Sequence, residues 1–170
     1  MTDAHVFHFS EDGSIRRFEP HVPVTNPGQA PAVWAIDGDH APLYWFPRDC
    51  PRLSVWADTA EHRDLFTQAF ATAARRITTV ESAWLPRIRT TRLYRYTFDA
   101  TDFTPWAEAE GQYVAHHAIV PEAVEPLDDL LGLHVDAGVE LRFTPRLGPA
   151  ADAVLASGLP FSFVRLRNAR

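Results

Sequence analysis

Residues 5–10 alternate polar and apolar side chains, with aromatic rings among them, and are followed by a turn at residues 12–13. Alternation with a period of two predicts a β-strand, because successive side chains on a strand point to opposite faces of a sheet. His8 and Ser10 then share one face, and the two phenylalanines of the strand share the other, where we expect them to be buried. Arg16 follows just beyond the turn. The pattern therefore predicts a strand-rich fold that presents a histidine, a hydroxyl and an arginine at one strand end.

Composition indicates one globular domain that does not bind nucleic acid through bulk charge. The chain has 170 residues, of which 46% are hydrophobic and 22% charged, and its formal net charge is −6. A chain of this length can bury a core as a single domain over residues 1–170. An acidic protein is repelled by a nucleic-acid backbone, so bulk nucleic-acid binding is not expected.

Several classes of chemistry require residues that the chain lacks. All 16 basic residues are arginine, which excludes a lysine Schiff base and a P-loop lysine. Cys50 is the only cysteine, which rules out an internal disulfide and a metal site built from several thiolates. The eight histidines show no ligand spacing, so we expect no metal. Walker A, dinucleotide-binding, nucleophile-elbow and zinc-protease motifs are also missing from the sequence.

The start of the sequence has no basic segment followed by an apolar one, as a secretory leader would have. No apolar run approaches the roughly 20 residues that span a bilayer. We therefore expect a cytoplasmic protein with no membrane contact, and the sequence leaves its oligomeric state open.

Hydrophobic periodicity predicts an α+β fold of mixed α/β character. Apolar residues recur at helical spacing over residues 60–76, after a cap at Asp58 or Thr59, and Asp39 is expected to cap a shorter helix over residues 41–46. Further helices are predicted near residues 128–137 and 149–157. Short apolar or alternating runs predict additional strands at residues 32–36, 53–56, 77–80, 92–98, 112–120, 139–143 and 161–167. The expected architecture is a central sheet of six to eight strands, which can be split, with three to four helices.

Aromatic and arginine side chains are concentrated in residues 44–52, between and beside two prolines. Arginine can clamp a phosphate or carboxylate with two hydrogen bonds, and an aromatic ring can stack on a base. We therefore assign Trp45, Arg48 and Arg52 as candidate ligand-binding residues, against the alternative that they pair locally and fill the core. Cys50 is interpreted as a small buried residue rather than a nucleophile.

Two other positions carry candidate chemistry. His8 can contact a ribose hydroxyl or act as an acid or base, and Ser10 can orient an amide or a phosphate. The alternative for His8 is a half-buried histidine that is hydrogen-bonded to a backbone carbonyl. Arg142 lies near the end of a predicted strand and is a candidate for a second phosphate-binding arm, against the alternative of a solvated strand end.

Five segments of the chain resemble a bacterial family of unknown function. The resemblance covers nearly the whole chain and implies no activity. The segments are residues 7–20, 33–37, 44–52, 124–127 and 138–145.

A first strand that ends in histidine, any residue and serine, followed by a helix and a strand with small residues, is similar to the ADP-ribosyltransferase-like folds. This group includes diphtheria-toxin-type transferases and RNA 2′-phosphotransferases. The resemblance implies that His8 and Ser10 hold the ribose and nicotinamide of NAD, which is the candidate cofactor. It also implies that Gln112 and Tyr113 occupy the late strand that carries the transferase glutamate.

Gln112 stands where the transferases have their catalytic glutamate, which departs from the pattern of that group. The phosphotransferases rely on histidine and arginines instead, a requirement that Arg16, Arg48 and Arg142 match. The resemblance therefore assigns His8 and Gln112 as the candidate catalytic residues.

Two functions follow from these residues. The first is an ADP-ribosyltransferase-like or phosphotransferase-like enzyme that handles NAD, ADP-ribose or a nucleotide phosphate. The second is a binding module or sensor that holds a small anionic, nucleotide-like ligand in the same cleft without turnover.

Overall fold

The computed structural model of the protein describes residues 4–23 and 27–170. The four prolines between residues 20 and 31 predict a loop, and part of it lies outside the described residues. The chain divides into two compact units, and the single domain expected from its length stays a prediction. Met1–Tyr44 and Arg92–Asp128 form the first unit, and Trp45–Thr91 and Asp129–Arg170 form the second.

The described residues form a mixed α+β structure of ten strands in two sheets and four α-helices. The predicted α+β fold class is therefore confirmed. Short 3-10 helices at Ala41–Tyr44, Ser82–Trp84, Ala100–Asp102 and Leu166–Asn168 connect some of them. In chain order the elements are β1 (His5–Ser10), β2 (Val33–Ile36), β3 (Arg52–Trp56), α1 (Ala60–Phe70), β4 (Arg76–Glu81), α2 (Leu85–Thr90), β5 (Leu93–Asp99), β6 (Thr104–Pro105), β7 (Gln112–Ala115), β8 (Ala123–Leu127), α3 (Leu130–Asp136), β9 (Val139–Thr144), α4 (Gly148–Ser157) and β10 (Phe161–Val164).

The first unit is built on a six-stranded sheet in the order β6-β7-β2-β1-β5-β8, and every pair in it is antiparallel. The predicted first strand is therefore central, because β1 pairs with β2 on one side and with β5 on the other. Strand registers place Val6, His8 and Ser10 on one face of β1, opposite Phe98, Tyr96 and Tyr94 of β5. We call this surface, together with Val33 and Ala35 of β2, the His8 face.

Both faces of the first sheet carry buried side chains. Val6 and Phe98 are almost completely buried on the His8 face, and Ile36 and Val114 are buried on the opposite face, which we call the phenylalanine face. Phe7 and Phe9 themselves are half-buried, so the expectation that they are buried is met only in part. Arg95 covers the ring of Phe7, with its guanidinium carbon 5.5 Å from the ring centre.

The second unit is built on a four-stranded sheet in the order β10-β3-β4-β9. β4 and β9 are parallel, and the other two pairs are antiparallel. Phe66 of α1 and Val154 of α4 pack on Val55 and Ile77 of the sheet, so both helices lie on the same face. The split that the prediction allowed is present, and the ten strands of the two sheets exceed the six to eight that were expected.

Helix ends depend on side-chain hydrogen bonds that periodicity does not reveal. Thr59 caps α1 by accepting a hydrogen bond from the His62 amide, as predicted. The helix ends at Phe70, six residues earlier than expected, because Ala71 adopts a left-handed conformation (φ 51°) and Thr72 accepts the Ala74 amide. Before the 3-10 helix at Ala41–Tyr44, the residue that accepts the His40 amide is Asp37, not the predicted Asp39.

β8 was not predicted as a strand, because Pro126 and two glutamates interrupt its apolar pattern. The strand lies at the edge of the first sheet. A proline is tolerated there because one side of an edge strand has no neighbouring strand that requires a backbone N–H donor. Residues 112–120, expected as a pair of short strands, form one strand that ends at Ala115.

Replacing Tyr96 by phenylalanine should destabilise the first unit. The buried hydroxyl donates to the Asp12 carbonyl (2.7 Å) and accepts from the Ile15 amide (3.1 Å), so its loss leaves two backbone groups without that partner. We expect the free energy of unfolding to fall by about 1–2 kcal/mol, measured by urea denaturation. Tyr113→Phe, which removes a half-buried hydroxyl from the same face, is the control. A loss below about 0.5 kcal/mol for Tyr96→Phe would contradict this role.

Candidate functional site

His8 is fixed at the centre of the first sheet. Its Nδ1 lies 3.0 Å from the carbonyl oxygen of Trp34, and Phe18 packs edge-on against its ring at 5.0 Å between centres. Because a carbonyl can only accept, Nδ1 carries the proton and Nε2 is the basic nitrogen of the neutral ring. His8 is thus half-buried and hydrogen-bonded to a backbone carbonyl, as the alternative without a functional role also predicts. The same contact also sets the orientation and tautomer that an acid, a base or a ribose ligand would require.

The turn after β1 is held by its own side chains. Ser10 Oγ accepts the Asp12 amide (3.1 Å), and Asp12 Oδ1 accepts from the hydroxyl and the amide of Ser14 (2.6 and 2.8 Å). These hydrogen bonds from Ser14 hold the pKa of the Asp12 carboxyl below its usual value. Gly13 lies directly on Tyr94, since a Cβ at this position would come within 2.5 Å of that ring. The turn is therefore a defined rim beside Ser10.

Arg16 lies on this rim, and its charge acts on the Tyr96 hydroxyl. Burial raises the pKa of Tyr96, and the Arg16 guanidinium opposes that rise. Arg16 is exposed and makes no ion pair with any residue in the described part of the chain, whereas the adjacent Arg17 pairs with Glu19 at 2.7 Å. Arg16 is thus able to bind an anion without breaking a contact within the protein.

Gln112 and Tyr113 lie on opposite faces of the first sheet. Gln112 pairs with Ile36, which in turn pairs with Phe7, so Gln112 shares the phenylalanine face. Its Nε2 donates to the Tyr44 hydroxyl at 3.1 Å. The expectation that Gln112 and His8 line one cleft is corrected by this register. Tyr113, the other residue assigned from the late strand, packs against the core on the His8 face.

The predicted residues of segment 44–52 all belong to the second unit. Arg52 is buried, its Nη1 donates to the Cys50 carbonyl (3.0 Å), and its guanidinium lies over the Phe46 ring. Trp45 is half-buried and packs against the ring of His134, and Arg48 is exposed. A site that joins these residues to His8, in the first unit, stays a prediction.

Arg142 lies on β9 of the second unit and is held by two contacts. Its Nε donates to Glu140 and its Nη2 to the carbonyl of Phe70, both at 2.7 Å. Hydrogen bonds from Thr72 and from Arg142 lower the pKa of Glu140. Arg142 also lines a cavity of about 490 Å³ between the sheet and helices α1 and α4. Arg142 is therefore held by contacts within the second unit but is still 37% exposed, so the alternative of a solvated strand end still stands.

Glu81 and His40 are among the buried polar residues that the sequence analysis did not identify. Glu81, at the end of β4, is 1% exposed; its Oε1 accepts the Arg170 amide (2.9 Å), while its Oε2 has no hydrogen-bond partner among the described residues. His40 is buried, and its Nδ1 lies 2.8 Å from Asp37 Oδ1. Glu81 could have been found in the sequence as a glutamate at the end of an apolar strand. His40 could have been found from the two aspartates that lie within three residues before it.

Cys50 is completely buried, and burial raises the pKa of its thiol to about 12. Nearby charges have smaller effects: Arg52 and Arg87 favour the thiolate, and Glu81 disfavours it. Since the thiolate is the nucleophile, this environment supports the interpretation of Cys50 as a small buried residue.

Across residues 4–23 and 27–170, no group of three or more histidine, cysteine, aspartate or glutamate side chains is arranged to hold a metal ion. None of the helices in that same part of the chain is long and apolar enough to cross a membrane.

Comparison with known proteins gives one match. The sequence model of a family described as a family of unknown function (DUF6886) matches residues 7–169, nearly the whole chain. No curated protein and no solved structure matches the chain significantly. The resemblance to a family of unknown function is thereby confirmed, and the resemblance to ADP-ribosyltransferase-like folds gains no support from these comparisons.

Cys50 should resist thiol reagents as long as the protein is folded. With a pKa of about 12, only roughly one thiol in ten thousand is ionised near pH 8. We expect Ellman's reagent to modify native Cys50 at least about 100-fold more slowly than the urea-unfolded chain. Glutathione in the same urea concentrations is the control for reagent reactivity. Equal rates in the folded and unfolded states would mean that the thiol is accessible and ionisable.

Proposed function

The protein belongs to the family of unknown function DUF6886, and we propose that it binds a small phosphate-bearing, nucleotide-like ligand at the end of β1, where His8, Ser10 and Arg16 lie. NAD and ADP-ribose are the candidate ligands. His8 would contact a ribose hydroxyl, Ser10 an amide or phosphate oxygen, and Arg16 a phosphate. In this proposal the protein acts as a binding module or sensor.

The orientation of His8 is the observation that carries this proposal. The hydrogen bond to the Trp34 carbonyl fixes the tautomer of the ring and helps to fix its orientation. Ser10 lies two residues further along the same face, and Arg16 lies on the adjacent rim with no ion pair to another described residue. A histidine, a hydroxyl and an arginine are together suited to a sugar phosphate, since arginine hydrogen bonds to phosphate are charge-assisted.

Binding without turnover is favoured because none of the described residues in β1, β2 and β5 presents a carboxylate to the His8 face. Glutamate-dependent transfer needs such a group, and Gln112, which stands in its place, lies on the opposite face. The neighbouring strands present apolar or tyrosine side chains to the His8 face: Val33 and Ala35 from β2, and Tyr94, Tyr96 and Phe98 from β5.

A phosphotransferase-like reaction is the second candidate, and the tautomer of His8 favours it. With the proton on Nδ1, Nε2 is the nitrogen that can take a proton from a hydroxyl. Such chemistry would use His8 and arginines and would not require a glutamate. An assay with 2′-phosphorylated RNA and NAD, in which phosphate transfer from the RNA is measured, separates this candidate from simple binding.

Arg16→Ala should weaken ligand binding, and Arg17→Ala should not. The two arginines are adjacent and exposed, but Arg17 is already paired with Glu19. Removing one charge-assisted phosphate contact should raise the Kd for ADP-ribose by about tenfold or more, measured by isothermal titration calorimetry. Equal effects of the two substitutions would show that only general positive charge matters.

His8→Asn tests the histidine without removing its structural hydrogen bond. The asparagine amide can still donate to the Trp34 carbonyl in place of Nδ1, while the second ring nitrogen is lost. We expect the variant to fold and to bind ADP-ribose at least about tenfold more weakly. Wild-type affinity in His8→Asn, or no binding of NAD and ADP-ribose by the unaltered protein, would refute the proposal.

A further inference from the structure

The edge strands of the two sheets differ in how they are protected against pairing with another chain. An exposed edge strand offers unpaired backbone donors and acceptors, and charged residues or prolines usually prevent such pairing. Three of the four edge strands in the described part of the chain carry such residues: β6 has Pro105, β8 has Glu125 and Pro126, and β9 has Glu140 and Arg142. β10, with the sequence Phe-Ser-Phe-Val, has neither a charge nor a proline. It is therefore the edge strand best suited to pair with a further strand.

Strand pairing determines which backbone groups of β10 point away from the sheet. Pro160 accepts the Trp56 amide at 3.1 Å, and residues 161–164 continue this register along β3. In an antiparallel pair, residues alternate between directing both backbone groups to the partner and turning both away from it. Phe161 and Phe163 therefore turn their N–H and C=O groups to the open side, while the other two residues of β10 bond to β3. Neither phenylalanine makes a further backbone hydrogen bond within the described part of the chain.

The phenylalanine side chains add an apolar surface to this edge. Phe161 is 44% exposed, and its ring centre lies 4.6 Å from that of Phe163. Phe163 is half-buried and packs against the core that Val55 forms with the residues of α1 and α4. Because residues two apart on a strand share a face, both rings lie on the side of the sheet that carries these helices. A strand added here would gain apolar contacts as well as backbone hydrogen bonds.

The two ends of β10 limit the length of a strand that can pair with it. Pro160, directly before β10, has no N–H to donate. Arg165, directly after it, adopts a left-handed conformation (φ 56°) that ends the extended backbone. Pairing is therefore confined to residues 161–164, and an identical strand has the matching length.

We propose that two copies of the chain associate through antiparallel β10 strands, with a twofold axis at Ser162. This register places Phe161 of each copy opposite Phe163 of the other, and each of these pairs exchanges two backbone hydrogen bonds. The phenylalanine rings of both copies lie together on one face of the joined sheets. Because each copy uses its β10 edge in the contact, the assembly closes as a dimer. The interface lies within the second unit and does not depend on the function proposed for His8.

Charge favours the antiparallel arrangement of identical chains. Arg165 is the first charged residue after β10 and lies three residues beyond Ser162. The twofold axis therefore places the two copies of Arg165 roughly 20 Å apart along the strands. This separation exceeds the screening length of about 8 Å at physiological ionic strength. Parallel pairing of the same strands would instead place the two guanidinium groups side by side.

Ser162→Cys tests this register in the full-length protein. The two copies of residue 162 would form a non-hydrogen-bonded pair at the axis, with Cα atoms about 4.5 Å apart, a separation that a disulfide can span. Oxidised glutathione should convert the variant at about 200 µM into a covalent dimer, seen on non-reducing gel electrophoresis. Cys50 does not interfere, because it is completely buried.

Val164→Cys is the matched control, since residue 164 lies on the same strand and face and is also half-buried. In the proposed register the two copies of residue 164 are more than about 12 Å apart, too far for a disulfide. Its covalent dimer should form at least about tenfold more slowly than that of Ser162→Cys. Equal or faster cross-linking of Val164→Cys, or no covalent dimer of Ser162→Cys, would overturn the proposal.

Sedimentation velocity measures the association without a cross-link. The unaltered protein should show a reversible monomer–dimer equilibrium at concentrations up to about 200 µM, because so short an interface belongs to the weak end of specific contacts. Phe161→Arg should raise the dissociation constant of the dimer at least about tenfold, since the new charge lies diagonal to Arg165 of the second copy. Val135→Arg, a substitution of an exposed apolar residue on α3, should leave this constant unchanged.

Several results would contradict the dimer: a monomer at every concentration, assemblies larger than two chains, or equal effects of Phe161→Arg and Val135→Arg. If Phe161→Arg fails to fold, the Ser162 and Val164 pair still decides. His8→Asn should dimerise as the unaltered protein does, which separates this interface from the proposed ligand site.

Discussion

The stability of the first unit depends on the contacts that hold the segment after β1 over the central strands of the sheet. Tyr96, buried under this segment, bonds to the backbone of residues 12 and 15, and Phe18 contacts the rings of His8, Tyr96 and Phe98 within about 5 Å. Phe18 also forms a two-way backbone bridge with Ile119. Each aromatic pair contributes about 0.5–1.5 kcal/mol beyond the burial of its area. These contacts keep Arg16 beside the His8 face. The same contacts therefore stabilise the unit and set the geometry of the proposed ligand site.

The arginines of the two units differ in the partners that they already have. In the first unit, Arg16 lies beside the half-buried His8 and Ser10 and makes no ion pair with a described residue, which suits an anionic ligand. In the second unit, Arg142 is already paired with Glu140 and donates to the Phe70 carbonyl, so it is less suited to a phosphate. A guanidinium therefore cannot be assigned to phosphate binding from its sequence context alone; its existing partners decide.

The sequence predicted those features of the fold that depend on local sequence patterns. It predicted the first strand, a cap at Asp58 or Thr59, and the mixed α+β class, because alternation and capping are short-range properties. It did not predict how deeply each face of β1 is buried, since both faces carry large side chains and the pairing with β5 decides which residues lie beside them. The position of Gln112 was missed for a similar reason, because one residue of register moves a side chain to the other face. The division into two sheets depends on pairings between strands far apart in the sequence, such as β4 with β9.

The central claim is that His8 is a preoriented, Nδ1-protonated imidazole that contacts a nucleotide-like ligand. Long-range ¹⁵N–¹H correlation spectra of the imidazole rings test it most directly, with His8 assigned by comparison with His8→Asn. The account predicts the Nδ1-protonated tautomer in the free protein and a change in the Nε2 resonance of His8 when ADP-ribose is added. A His8 ring protonated on Nε2, or an Nε2 resonance that saturating ADP-ribose leaves unmoved, would contradict it.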